Sequence, residues 1–149
     1  MGYLGLSAGG QPYVVPLNYA YVENKILFHC ALEGKKLDCI RANPQVCFTV
    51  ARQTGRVRAH ANQDPCHVDS DSVICTGRAR IVESAEERKG LLDVFNRRFN
   101  PEAEPISQER AENCGAVEIT IEEMTGRRER ERGVTYWRHR FEQAQPETR

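Results

Sequence analysis

Gly34-Lys35-Lys36 is the triplet whose residue types and spacing point most directly to chemistry. It opens an expected short helix, Lys35 to Asn43, which Asn43-Pro44 stops. Gly34 leaves the backbone free to approach an anion, and a helix N-terminus offers unpaired N–H groups to a phosphate. Two lysines at that end oppose the helix dipole, which favours cations at the other end. Their placement carries a cost unless an anion offsets it. The competing reading is a pair of solvated surface lysines.

The other reactive side chains form no equally clear set. His29 and Cys30 are neighbours on an expected strand, so they point to opposite faces and cannot act there as base and nucleophile. His60, Cys66 and His67 lie in a polar stretch, but their spacing matches no zinc ligand set and lacks a fourth member. A loop with two ordinary histidines is expected, and no metal. The six cysteines are Cys30, Cys39, Cys47, Cys66, Cys75 and Cys114, mostly among apolar neighbours and never as CxxC. They read as small core residues of a reducing compartment, not as a disulfide framework.

Strands must position the triplet. Gly2–Ser7 reads as a strand, and Ala8-Gly9-Gly10 as a turn. From Gln11 to Tyr21 the chain alternates, with Tyr13, Val15, Leu17, Tyr19 and Tyr21 on one face. Pro16 marks that strand as an edge, or as one facing something else. Glu23-Asn24-Lys25 reverses the chain into Ile26–Cys30, which leads to the helix, and Gln45–Ala51 follows as a third clear strand. Arg52–Asp71 reads as irregular.

Ser72–Glu83 is a long strand with a bulge or bend expected at Gly77. Ser84 and Glu87 form a capping box for a helix whose buried stripe is Leu91 or Leu92, Phe95 and Phe99. Ser107–Asn113 is a further short helix. In Ala116–Met124, Val117, Ile119 and Ile121 are expected to face in, and Glu118, Thr120 and Glu122 out. Tyr136-Trp137 reads as a last short strand returning to something apolar. Residues 1–141 are read as one domain and 142–149 as a frayed tail. The tally is a mainly β chain: a small antiparallel β-barrel with peripheral helices.

Composition limits the partners. The 149 residues suffice for one core. Lys plus Arg and Asp plus Glu are 21 each, so no net charge draws the chain to nucleic acid or membrane. The mixed signs of the RRERER run cancel instead of making a basic arm. No apolar run approaches the ~20 residues of a membrane span, and the first residues lack the pattern of a signal peptide. A cytoplasmic protein is expected.

The segments LGLS, QPYVVPLNYAY, ILFHCALEGKKLDCIRANPQVCF, SVICTGRARIVES and VEITIEEMTGRR resemble the FMN-binding split-barrel superfamily typified by pyridoxamine-phosphate oxidase. Within it the chain is most similar to the nitroimidazole-resistance branch. The resemblance implies a split β-barrel that forms a homodimer with FMN in the groove between subunits. Gly34-Lys35-Lys36 stands where the oxidases hold the FMN phosphate with Ser-Arg-Lys, so Lys35 and Lys36 keep the charge and the hydroxyl is lost. Val14, Val15, Pro16, Leu17 and Asn18 align with the strand whose backbone meets the isoalloxazine edge. Val14 and Tyr19 replace charged residues of the oxidases at the ends of that strand.

His29-Cys30 stands in place of an aromatic-Thr pair, and a histidine there is typical of the nitroimidazole-resistance branch. Ser72 corresponds to a glutamine, and Trp137 to a C-terminal tryptophan. Family members usually begin with a helix, whereas Met1 here stands at the first strand, which reads as a short form or a misplaced start. The arginines and histidine that bind the vitamin are not recognisable, so pyridoxamine-phosphate oxidation is not expected.

The implied activity is electron transfer from reduced flavin to a small nitro or other oxidised organic substrate, with a nicotinamide as electron donor. His29 would polarise or protonate the acceptor; alternatively it only packs against the ring. Rival readings are a non-catalytic flavin-binding module and a haem-binding split barrel.

Overall fold

Two tight turns set the first four strands of the computed structural model, which describes residues 1–58, 67–131 and 133–142. Gly9 and Gly10, at φ 57° and 77°, join β1 (Gly2–Ala8) to β2 (Gln11–Leu17). Glu23 and Asn24, at φ 48° and 64°, join β3 (Ala20–Val22) to β4 (Lys25–Cys30). Two consecutive positive φ values give the turn whose twist matches a hairpin. Then follow α1 (Lys35–Ala42), β5 (Gln45–Arg58), β6 (His67–Ile81), α2 (Ala85–Phe99), α3 (Gln108–Glu112), β7 (Gly115–Arg130) and β8 (Gly133–Arg140).

Among the described residues eight strands make one antiparallel sheet, in the order β2-β1-β5-β6-β7-β4-β3, with β8 also on β7. β7 pairs with β6 along one edge. Its other edge is shared: β4 takes Gly115–Thr120, and β8 takes Glu123–Arg130. The β6–β7 register slips at Thr76/Gly77, level with that changeover. This is the bend expected at Gly77, and it turns the two halves of the sheet relative to one another.

Three strands separate β1 from β4 in the sheet, yet Leu4 and Leu6 share a core with Ile26 and Phe28. The sheet therefore curls on itself. Leu37 and Ile40 of α1, Phe48 of β5 and Val117, Ile119 and Ile121 of β7 fill the interior. Each such side chain contributes roughly 1.5–3 kcal/mol by leaving water. On the outer face, Phe95 of α2 packs on Ala20 and Leu27. No helix among the described residues is long and apolar enough to cross a membrane.

Five local expectations need correction. The strand from Gln11 breaks at Asn18-Tyr19, so the alternation resets; Ala20 is buried and Tyr21 is exposed. Arg52–Arg58 continues β5 and His67–Asp71 begins β6, so the described parts of this stretch pair as a ribbon. Phe99 is 63% exposed and only tilts against Phe95. Glu118 is 7% exposed, because α2 covers its face of the sheet. There it binds Lys25 and Arg80, each at 3.1 Å. The last strand is not the short Tyr136-Trp137 piece expected but the eight residues of β8, all exposed, with Trp137 meeting the apolar wall of a cavity instead of entering the core. The Ser84 cap stands, its Oγ accepting the Glu87 N–H at 3.4 Å, while the Glu87 carboxylate takes Arg80 at 2.7 Å.

Candidate functional site

A two-residue hairpin closes on a hydrogen-bonded pair, here Ala8 and Gln11. Counted from that pair, Tyr13, Val15 and Leu17 direct their backbone groups to β1. Pro12, Val14 and Pro16 turn theirs to the open edge, since β2 ends the sheet. Both prolines thus stand where no ladder donor is needed. The open edge presents the Val14 N–H and the carbonyls of residues 12, 14 and 16.

α1 begins beside this strand. Gly34 caps it at φ 132°, a conformation glycine adopts without steric cost, and no side chain caps the first turn. Lys35 extends its ammonium over Tyr13 of β2, 4.6 Å from the ring centroid. That contact ties the helix N-terminus to the strand carrying Val14, Val15, Pro16, Leu17 and Asn18. Lys36 is half-buried, and its charge reaches Cys30. The uncapped N-terminus, the bare Gly34 and the two ammonium groups form a donor set that fits a terminal phosphate such as that of FMN.

His29 and Cys30 diverge, as strand alternation requires. Cys30 packs toward the core. His29 faces α2, with its ring edge-on to Phe95 at 5.0 Å and 86°. Burial raises the Cys30 thiol, and Lys36 acts in the opposite direction.

A separate cavity of about 640 Å³ opens on the inner face of the sheet's far half. Tyr19, Phe48, Val73, Met124 and Trp137 wall it, and Ser72 is also at its margin. At one end Asp71 binds Arg52 at 3.0 Å, Arg128 at 3.0 Å and Arg130 at 2.9 Å. The hydrogen bond from Arg128 leads in holding the Asp71 carboxyl down at about 2, followed by those from Arg52 and Arg130. The expected residues therefore fall into two groups. Ser72 and Trp137 line this cavity, whereas Val14–Asn18, His29, Cys30, Lys35 and Lys36 do not.

Sequence reasoning missed Tyr13 as the partner of Lys35. It also missed the Asp71 cluster, because the RRERER run looked self-cancelling. Arg128 and Arg130 alternate on one face of β7, and Asp71 sits opposite Arg128; that period of two was the available signal. His60 and Cys66 lie outside the described residues, as does the His67 side chain. Among the described residues no group of three His, Cys, Asp or Glu is placed to hold a metal ion.

A family model described as pyridoxamine 5'-phosphate oxidase matches residues 1–128. The chain belongs to this family, and with it to the FMN-binding split-barrel superfamily. Among solved structures it is similar to a putative 5-nitroimidazole antibiotic resistance protein from Bacteroides thetaiotaomicron, with 25% identity and a TM-score of 0.71 over 84% of this chain and 74% of that one. It is also similar to a FAD-binding protein from Mesorhizobium loti, with 27% identity and a TM-score of 0.64 over 87% of this chain and 84% of that one. A curated relative, an uncharacterised protein of Rhizobium meliloti, is 42% identical over 41 residues. That match spans 28% of this chain and only 26% of the relative's length.

Proposed function

We propose that this protein binds FMN and reduces small nitro or other oxidised organic compounds, with a nicotinamide as electron donor. The observation that carries the reading is the uncapped, dilysine N-terminus of α1, joined through Lys35 and Tyr13 to the open edge of β2. FMN would supply the electron-transfer chemistry. Lys35, Lys36 and the first N–H groups of α1 would hold its phosphate. The Val14 N–H and the carbonyls of residues 12, 14 and 16 would meet polar groups at the ring edge.

His29 would present a ring nitrogen to the acceptor and give it a proton, the general-acid role open to an imidazole. The exposure of His29 beside Phe95 is compatible with that role. The same reading takes the active form as a homodimer in the cytoplasm, with flavin between the subunits.

The test is an absorbance spectrum of the purified protein before and after addition of FMN. Flavin bands shifted from those of free FMN, and lost in the Lys35→Ala/Lys36→Ala variant, support the cradle. A colourless protein that ignores FMN ends the proposal, and a Soret band replaces it with haem binding. Bound flavin that nicotinamides do not reduce makes the chain a binding module. Unchanged turnover in His29→Ala, at normal flavin content, removes the role of His29.

A further inference from the structure

Cys30 ends β4, and Cys114 immediately precedes β7. The register sets Cys30 opposite Gly115. Cys114 Sγ lies 3.6 Å from the carbonyl oxygens of both Cys30 and Gly115. From the other strand, Cys30 Sγ comes within 3.3 Å of where a Gly115 side chain would begin. Gly115 is thus flanked by both thiols, Cys30 Sγ at its side-chain position and Cys114 Sγ at its carbonyl oxygen.

Opposed residues of antiparallel strands have Cα atoms about 4.5–5.5 Å apart, and Cys114 is one residue beyond such a pair. Disulfides bridge Cα separations of about 4.4–6.8 Å, a range that takes in such a diagonal pair, and the Cys114 thiol turns toward Cys30, to 3.6 Å from its carbonyl oxygen. Both are half-buried and open to a small reagent, whereas Cys39 and Cys75 are buried in the core. Cys30 also feeds directly into Ala31–Gly34, the segment that delivers Lys35 and Lys36 to α1. The Ala31 carbonyl oxygen approaches the Gly115 side-chain position at 2.7 Å, so this segment is already close to the start of β7.

We propose that Cys30 and Cys114 form a dithiol site, oxidised by low-molecular-weight disulfides to an internal disulfide that ties the 31–34 segment to the start of β7. The Cys30 thiolate, near the Lys36 ammonium, attacks one sulfur of the small disulfide. The small S–S bond breaks, and one small thiolate leaves and takes up the proton lost by Cys30. The Cys114 thiolate then attacks the Cys30 sulfur and displaces the second small thiolate, which takes the proton lost by Cys114. Two protein thiols lose two electrons and two protons; one small disulfide becomes two small thiols. A cytoplasmic setting suits a transient bridge of this kind.

Glutathione disulfide is the probe. The folded chain is treated with it, free thiols are blocked, and unreduced peptides are analysed by mass spectrometry. A linked Cys30–Cys114 peptide is expected, reversed by dithiothreitol, with amide exchange across residues 31–36 slowed about tenfold in the linked form. Cys114→Ser is expected to strand a glutathione adduct on Cys30. Adducts on wild-type Cys30 or Cys114 without a link overturn the site, and so does modification confined to exposed Cys47. A link without slower exchange overturns the tying of the segment. Neither readout involves flavin, so this site and the FMN proposal fail separately.

Discussion

The indole of Trp137 occupies the space that a side chain on Gly126 would need, and the two residues face each other in the β7–β8 register. The largest side chain of an exposed strand thus rests on bare backbone. Gly126→Ala is expected to push the ring off β7, loosen β8 and open one wall of the inner cavity. The cost is about 1–3 kcal/mol, as for overpacking elsewhere. Trp137 is the chain's single tryptophan, so a red shift in its emission reads the displacement directly; unchanged emission refutes it.

Replacing Lys35 and Lys36 together with alanine separates binding from stability. Charge-assisted hydrogen bonds contribute roughly 1.5–3 kcal/mol each, so FMN affinity is expected to fall by at least about a hundredfold. The folded chain should change little, since relief of two cations that oppose the α1 dipole offsets the lost Lys35–Tyr13 contact. Fluorescence titration gives the first quantity and thermal unfolding the second.

Glu118 neutralises Lys25 and Arg80 from beneath α2. Glu118→Ala is expected to destabilise the chain by about 1–3 kcal/mol, less than for a wholly buried pair, because both cations are half-exposed and Arg80 keeps Glu87. Urea unfolding measures this. Glu118→Gln, which retains acceptors without charge, should lie between the two.

Asp71 is expected to control acid behaviour at the far end of the sheet. Its carboxyl is held at about 2 instead of 3.8 by Arg128, Arg52 and Arg130. A lowered folded-state value means that the stabilisation is fully present above pH 3.8 and is lost as pH falls toward 2. The stability difference between wild type and Asp71→Asn should therefore be constant near neutrality and vanish across that window. Unfolding monitored by circular dichroism at stepped acid pH tests it. A difference that persists below pH 2 contradicts the assignment.

The hairpin turns, the bend at Gly77 and the Ser84 cap were legible because each depends on local residue chemistry. The ribbon of β5 and β6 beyond Ala51 was not. From Arg52 to Gln53 and Thr54 both faces of β5 are exposed, so no alternation of apolar and polar residues marks it. Phe99 failed in the opposite way: helical spacing is right for burial, but among the described residues the end of α2 stays open and Phe99 is exposed. Glu118 could not be read as buried, since its two cations lie far off in sequence and meet it only through the sheet.

Within the site, the lysine pair was legible as a helix start at odds with its own dipole. Its connection to Tyr13 required the fold. Ser72 and Trp137 were set beside the same cofactor by resemblance, and they line a cavity that does not include the lysines.

The two prolines of β2 also bear on solubility. A bare sheet edge ordinarily templates a strand from another molecule, and repetition of that event builds fibrils. Pro12 and Pro16 remove two of the three outward donors, leaving the Val14 N–H alone between them. An incoming strand would find no continuous ladder to extend. A compact ligand, needing one donor and a few acceptors, loses nothing by the same subtraction, so the edge can stay uncovered for a small molecule without inviting a second chain to polymerise on it.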